Sequence, residues 1–188
     1  MRVLIADDEA LTRMGLRTML CAMGHTLVGA AADGLSALRQ ACETRPDLAI
    51  LDIKMPGMDG LAVAEAIAEQ CPIPVVMLTA YSERDLVERA AATETVQAYL
   101  VKPIREADLA PTIELAAARF AEWQALCQEA ANRQEALESR AIVSRAKRLL
   151  MQREGLTEHE AFLKIQHLAR RERRTMRQVA EETLEHQG

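Results

Sequence analysis

The sequence predicts an α/β fold: a doubly wound, five-stranded parallel sheet with helices on both faces, followed by a long helix and a small three-helix all-α unit. Three observations predict it. Short continuous apolar runs alternate with amphipathic stretches through the first part of the chain, as strands of a parallel sheet covered on both faces require. Charged residues close three of those runs: Asp7-Asp8 after Val-Leu-Ile-Ala, Asp52 after Leu-Ala-Ile-Leu, and Lys102 after Ala-Tyr-Leu-Val. An apolar four-three spacing then runs from Leu109 to Ala141, the period of a helix packed along another helix.

The elements follow in order. Arg2 to Ala6 reads as the first strand, stopped by Asp7, Asp8 and Glu9. Leu27 to Ala30, Leu48 to Leu51, Val75 to Leu78 and Ala98 to Val101 supply the other four. Helices are expected near Ala10 to Met23, Gly34 to Thr44, Gly60 to Gln70 and Ser82 to Ala92, punctuated by Gly24, Pro46, Pro56-Gly57 and Pro72, residues that end or interrupt helices. The long helix carries Leu109, Ile113, Ala116, Phe120, Trp123, Cys127, Ala130, Gln134, Leu137 and Ala141 on one seam, with Gln134 as its one polar member. Pro111 is tolerated only in a first turn, so the helix is expected to begin a residue or a few before it. The seam fits two partners, a second copy of the chain in a parallel dimer or the chain's own first domain.

The tail reads as three short helices. The first continues through Ala146 to Met151 and stops near Gly155, a helix-ending glycine. Thr157 with Glu160 and Thr175 with Gln178 have the spacing of a capping box, in which each side chain satisfies the other residue's backbone N–H, so two further helices begin there. Ala161, Ile165 and Leu168, and Met176, Val179, Ala180 and Leu184, mark the apolar faces. Phe162 is assigned to the apolar face.

Composition narrows the function classes. With 49% hydrophobic and 27% charged residues and no apolar run near the roughly 20 residues of a membrane span, the chain is expected to be neither membrane-spanning nor disordered. The apolar core of a signal peptide cannot form at Val3 to Ala6, so a cytoplasmic location is expected. Cys21, Cys42, Cys71 and Cys127 include no Cys-x-x-Cys pair, so they are read as small buried or neutral thiols and not as a zinc site or a disulfide framework. Residues 140–188 hold 11 Lys and Arg against 7 Asp and Glu, a net of +4. The residues before them hold 12 against 21, a net of −9. A basic tail on an acidic first domain points to an anionic partner at the C-terminal end.

The charged strand ends carry the chemistry. A parallel sheet keeps its ligands at the carboxyl edge of its strands, which is where Asp7, Asp8, Asp52 and Lys102 fall. Three carboxylates suit a hard octahedral cation such as Mg2+, which takes few protein ligands and completes its shell with water and phosphate. The cation lets an anionic Asp52 approach an anionic phosphoryl group. Taken singly, Asp7, Asp8 and Asp59 also read as helix or turn caps and Asp52 as a loop carboxylate, and Tyr99 as a buried sheet aromatic.

Residues 1–119 resemble a response-regulator receiver domain: an acidic pair at Asp7-Asp8, Asp52 in Leu-Asp-Ile-Lys-Met-Pro-Gly-Met-Asp-Gly, Thr79 in Leu-Thr-Ala and Lys102 in Val-Lys-Pro. The resemblance implies a flavodoxin-like fold, Mg2+ held by Asp7, Asp8 and Asp52, and an aspartyl phosphate on Asp52 formed from a sensor histidine kinase. It implies that Thr79 and Lys102 bind the phosphoryl oxygens and that Tyr99 is the aromatic switch. Residues 139–188 resemble the ANTAR domain in Arg-Ala-Lys-Arg-Leu-Leu-Met-x3-Gly-Leu-Thr-x2-Glu-Ala-Phe and then Arg-Arg-Thr-Met-x2-Val-Ala-Glu, with Arg148 where the family often has Gly and Gln166 where it often has Arg. With a coiled-coil linker helix at 109–140, this resembles the whole architecture of ANTAR response regulators. That implies binding of hairpin RNA to prevent transcription termination, by a regulator and not an enzyme.

The expected RNA contacts are Lys147, Arg148, Arg170, Arg173 and Arg174, with Arg171 and Arg177 near them, and the expected seam of a phosphorylation-favoured homodimer is Ile113, Phe120, Trp123 and Leu137. Two other outputs fit the basic tail, duplex DNA read by a helix after a short turn and another protein.

Overall fold

The computed structural model describes residues 1–80 and 95–185; the helix expected at Ser82 to Ala92 lies outside the described residues. Two compact units divide at Gln124 and Ala125.

The first unit is built on strands β1 (Arg2–Ala6), β2 (Thr26–Ala31), β3 (Leu48–Asp52), β4 (Val75–Thr79) and β5 (Val96–Val101), all parallel, in the order β2-β1-β3-β4-β5. This is the flavodoxin-like order, and its switch point lies between β1 and β3. Successive strand residues point to opposite faces, and both faces are covered. Leu4, Leu51 and Met77 meet Ala37 and Ala41 of α2 (Gly34–Thr44) and Val63 and Ile67 of α3 (Gly60–Gln70). Val3, Ile50 and Leu78 meet Leu16 and Leu20 of α1 (Ala10–Ala22), together with Leu109, Ile113 and Ala116 of α4 (Glu106–Glu154). Double coverage is why these strands are continuously apolar and do not alternate.

Local signals set the helix ends. Asp33 caps α2 by accepting from the Ser36 N–H at 2.8 Å, and Asp59 caps α3 by accepting from the Ala62 N–H at 2.8 Å. Gly24, directly after the Met23 cap of α1, has φ +79°, a left-handed turn that costs glycine little.

Three expectations need correction. The helix α4 begins at Glu106, so Pro111 sits in its second turn and leaves the Ala107 carbonyl without its helical N–H donor. Glu106 and Asp108 in the first turn favour the early start through the helix dipole. Second, Cys42 and Cys71 are joined in a disulfide with Cα atoms 5.5 Å apart, whereas Cys21 and Cys127 are free and exposed. Folding brings the end of α2 against the residue that caps α3, a proximity that a separation of 29 residues conceals. Third, the first half of the heptad seam is not available to a second copy: Leu109, Ile113 and Ala116 are buried in the receiver-like core and Phe120 is 6% exposed, stacked on Trp123 at 5.3 Å between ring centroids.

In the second unit, the C-terminal part of α4 packs with α5 (Glu158–Glu172) and α6 (Met176–Glu185) around Ala146, Leu150, Ala161, Ile165, Ala169, Val179 and Ala180. Both capping boxes form: Thr157 with Glu160, and Thr175 with Gln178. Gly155 (φ +69°) ends α4. Phe162 lies 37% exposed, beside the buried stripe and outside it.

Candidate functional site

Three strand ends bring the site together. Asp7 leaves β1 and is fully buried, Asp52 closes β3 and is 6% exposed, and Lys102 follows β5. The pairing of Asp52 with Leu78 and of Thr79 with Val101 sets Thr79 one step beyond Asp52 on the neighbouring strand, and the Lys102 N–H donates to the Thr79 carbonyl at 2.9 Å. Thr79 is itself buried, its hydroxyl donating to the Ala80 carbonyl at 3.0 Å. Tyr99 is half-buried against the α2/α3 side of the sheet, and burial pushes its phenol upward.

Lys102 Nζ lies 2.8 Å from Asp52 Oδ2, as a hydrogen bond, and 2.8 Å from Asp7 Oδ2. The second contact is an ion pair without hydrogen-bond alignment, because the buried Asp7 Oδ2 lacks a hydrogen-bond partner. Asp7 Oδ1, by contrast, accepts from the Glu9 N–H at 2.8 Å and so fixes the turn into α1. Burial pushes the Asp52 carboxyl above the usual range, and the neighbouring charge of Asp7 adds to this, against the pull of Lys102. Burial would lower Lys102, but its hydrogen bond to Asp52 and the attraction of the Asp52 and Asp7 charges outweigh it and raise the ammonium. The partners move alike because the carboxylate is the more deeply buried and faces a second carboxylate, while the ammonium faces two opposite charges.

Asp7, Asp8 and Asp52 can each bring one ligand oxygen within 4.8 Å of the others. This cluster can hold a metal ion. Oxygen-only donors fit a hard divalent cation, and an orphaned buried carboxylate oxygen has the lone pair such an ion takes. A cleft of about 430 Å³ opens beside it, lined by Asp8, Ile53, Lys54, Pro56 and Asp59. Gly60 allows this loop to close tightly: a Cβ there would collide with the Asp52 carbonyl.

The residues expected to meet RNA are all in the second unit, but their charges are not equally available. Lys147 is paired with Glu158 at 2.6 Å, and Arg174 with Glu182 and, at 3.4 Å, Glu172. Arg148, Arg170 and Arg173 are exposed and make no side-chain ion pair among the described residues. Sequence reading passed over Arg13, whose guanidinium donates to the Asp7 and Asp8 carbonyls at 2.6 and 3.0 Å and braces the acidic pair. No motif marks it, since the contact is to backbone.

Comparison with known proteins follows the same division. Residues 3–114 match the response regulator receiver domain and residues 131–184 the ANTAR domain. The chain is 51% identical over 187 residues to the transcriptional regulatory protein PdtaR of Mycobacterium tuberculosis, covering 100% of this chain and 91% of that protein. Over 119 residues it is 39% identical to the positive alginate biosynthesis regulatory protein of Pseudomonas aeruginosa, covering 62% of this chain and 47% of that one. Among solved structures, the REC domain of AraT, a response regulator from Geobacillus stearothermophilus, superposes with a TM-score of 0.59 at 32% identity, over 65% of this chain and 97% of that one. The signal receiver domain of the putative response regulator NarL from Mycobacterium tuberculosis gives 0.58 at 33%, over 62% and 95%.

Proposed function

The chain belongs to the response-regulator family as a two-component regulator joining a receiver to an ANTAR domain, and we propose that phosphorylation of Asp52 controls its binding of hairpin RNA, which prevents transcription termination. The convergence of Asp7, Asp8, Asp52 and Lys102 at one sheet edge is the observation that carries the phosphorylation half. The N–P bond of a phosphohistidine on a sensor kinase breaks as an Asp52 Oδ forms the new O–P bond. Mg2+ held by Asp7, Asp8 and Asp52 supplies charge neutralisation when bound. Lys102 exchanges Asp52 Oδ2 for a phosphoryl oxygen while keeping Asp7, and the Thr79 hydroxyl turns from the Ala80 carbonyl to another phosphoryl oxygen. Tyr99, paired with Met77 across β4–β5 and so two residues short of Thr79's own partner Val101, reads that movement.

For the output half, residues 139–188 act as the RNA-binding domain, residues 1–119 as the receiver and 109–140 as the linker helix. Support comes from the ANTAR match, the net +4 of residues 140–188 and Arg148, Arg170 and Arg173, which make no side-chain ion pair among the described residues. Arg174 joins them by trading exposed carboxylate partners for phosphate, an exchange of low cost because exposed ion pairs contribute little, while Lys147, held by Glu158, faces the RNA. The test is affinity for a two-hairpin RNA and for its duplex DNA equivalent at several salt concentrations, with and without Asp52 phosphorylated. Binding of the RNA alone, tightened by phosphorylation, is expected. Each of Arg148, Arg170 and Arg173 changed to Ala is expected to lower the salt slope by about 0.7 to 0.9 where it meets phosphate. Equal affinity for both nucleic acids favours a DNA regulator, and none for either favours a protein partner.

A further inference from the structure

A groove of about 530 Å³ lies in the second unit between α4, α5 and the start of α6, within the roughly 300–1,000 Å³ span of sites that enclose small planar ligands. Val143, Phe162 and Met176 give it apolar walls, and Arg140, Lys147 and Arg177 stand among them. The core of this unit is complete without Phe162: Ala161, Ile165 and Ala169 supply the buried stripe of α5. Phe162 remains 37% exposed and lines the groove. It is also the only aromatic residue after Trp123, so it can support one stacked ring and not a series.

The cations around it are held in place. Lys147 Nζ is 2.6 Å from Glu158, and Arg177 Nε is 2.8 Å from Glu181, so both side chains are oriented and partly neutralised while keeping further N–H donors. Arg140 makes no ion pair among the described residues. A ligand matching this arrangement is flat and apolar on its face, offers acceptors at its edge and carries a negative charge to one side.

We infer that the groove takes one unstacked nucleobase of a hairpin loop, with Phe162 as the stacking surface, Lys147 and Arg177 as donors to the base edge, and Arg140 on the adjoining phosphate; this rests on the hairpin-RNA reading above. Single-base stacking on an aromatic side chain adds affinity at no cost in salt dependence, whereas a phosphate contact changes the salt slope. The two roles are therefore separable by measurement.

The experiment uses the full-length protein and hairpins carrying the fluorescent base 2-aminopurine at each loop position in turn. Wild type is expected to quench one position. Phe162→Leu, which keeps an apolar wall, is expected to lose that quench and about tenfold in affinity with an unchanged salt slope. Phe162→Tyr is expected to restore both, and Arg140→Ala to lower the slope by about 0.7 to 0.9. Removing the identified base from the loop is expected to weaken wild type by the same factor and leave Phe162→Leu unaffected. Hairpin binding without quenching at any position, or equal affinity of wild type and Phe162→Leu, overturns the base site and leaves the RNA reading intact. Failure of wild type to bind any hairpin overturns both.

Discussion

Asp52 is held between opposing demands: its place at the end of a buried strand disfavours charge, while Lys102 and a bound cation favour it. A carboxyl raised in the folded state stabilises the fold below its unfolded value, and that contribution is lost as pH rises through the raised value. At neutral pH without metal, Asp52→Asn is therefore expected to raise the thermal midpoint in scanning calorimetry. Mg2+ at a hundred times its dissociation constant stabilises wild type by about 2.7 kcal/mol, or on the order of 5–10 °C, and the Asn variant is expected to lose most of that shift. The variant is also expected to take no label from a small phosphodonor; labelling that persists would move the phosphoacceptor elsewhere. Asp7, Asp8, Asp52 and Lys102 were legible because each closes an apolar run and strand topology does the rest. Arg13 was not, because its partners are carbonyls that carry no residue identity.

At the scale of elements, the pair α2 and α3 is fastened at both ends. Near the site, Gly34 and Gly60 admit close backbone approach to Met58 and Asp52, and at the far end the Cys42–Cys71 disulfide joins the helices. Closing a loop of this length removes entropy from the unfolded chain worth about 3–4 kcal/mol on the chain-entropy account. Cys42→Ser, or reduction by dithiothreitol, is expected to lower the thermal midpoint by on the order of 10 °C, with no further effect of reductant on the variant. An unchanged midpoint under reducing conditions would mean the bond contributes nothing to the fold. Capping boxes and strands could be read from local spacing, but the disulfide could not: its sulfurs meet only through packing of elements 29 residues apart. Phe162 illustrates the same limit, since one position of rotation along α5 separates the buried stripe from the groove.

At the scale of the whole molecule, charge and seam divide the chain in different places. The tail is basic and the rest acidic, as composition indicated, and no helix among the described residues is long and apolar enough to cross a membrane. A heptad pattern looks the same whichever surface covers it, so only the structure could assign Leu109, Ile113 and Ala116 to the chain's own core and leave Leu137 60% exposed. A phosphorylation-favoured homodimer would therefore form from Trp123 onward. Trp123→Glu with Leu137→Glu is expected to give a folded monomer by light scattering, whereas Ile113→Glu is expected to unfold the first unit. A phosphorylated wild type that stays monomeric at micromolar concentration would rule the dimer out. Trp123 to Ala141 is fewer than three heptads, and helices that short associate weakly on their own. If output requires that pairing, it would depend on the regulator's own abundance: halving the number of copies in the cell would thin the pairs by up to about fourfold, with no change at the kinase.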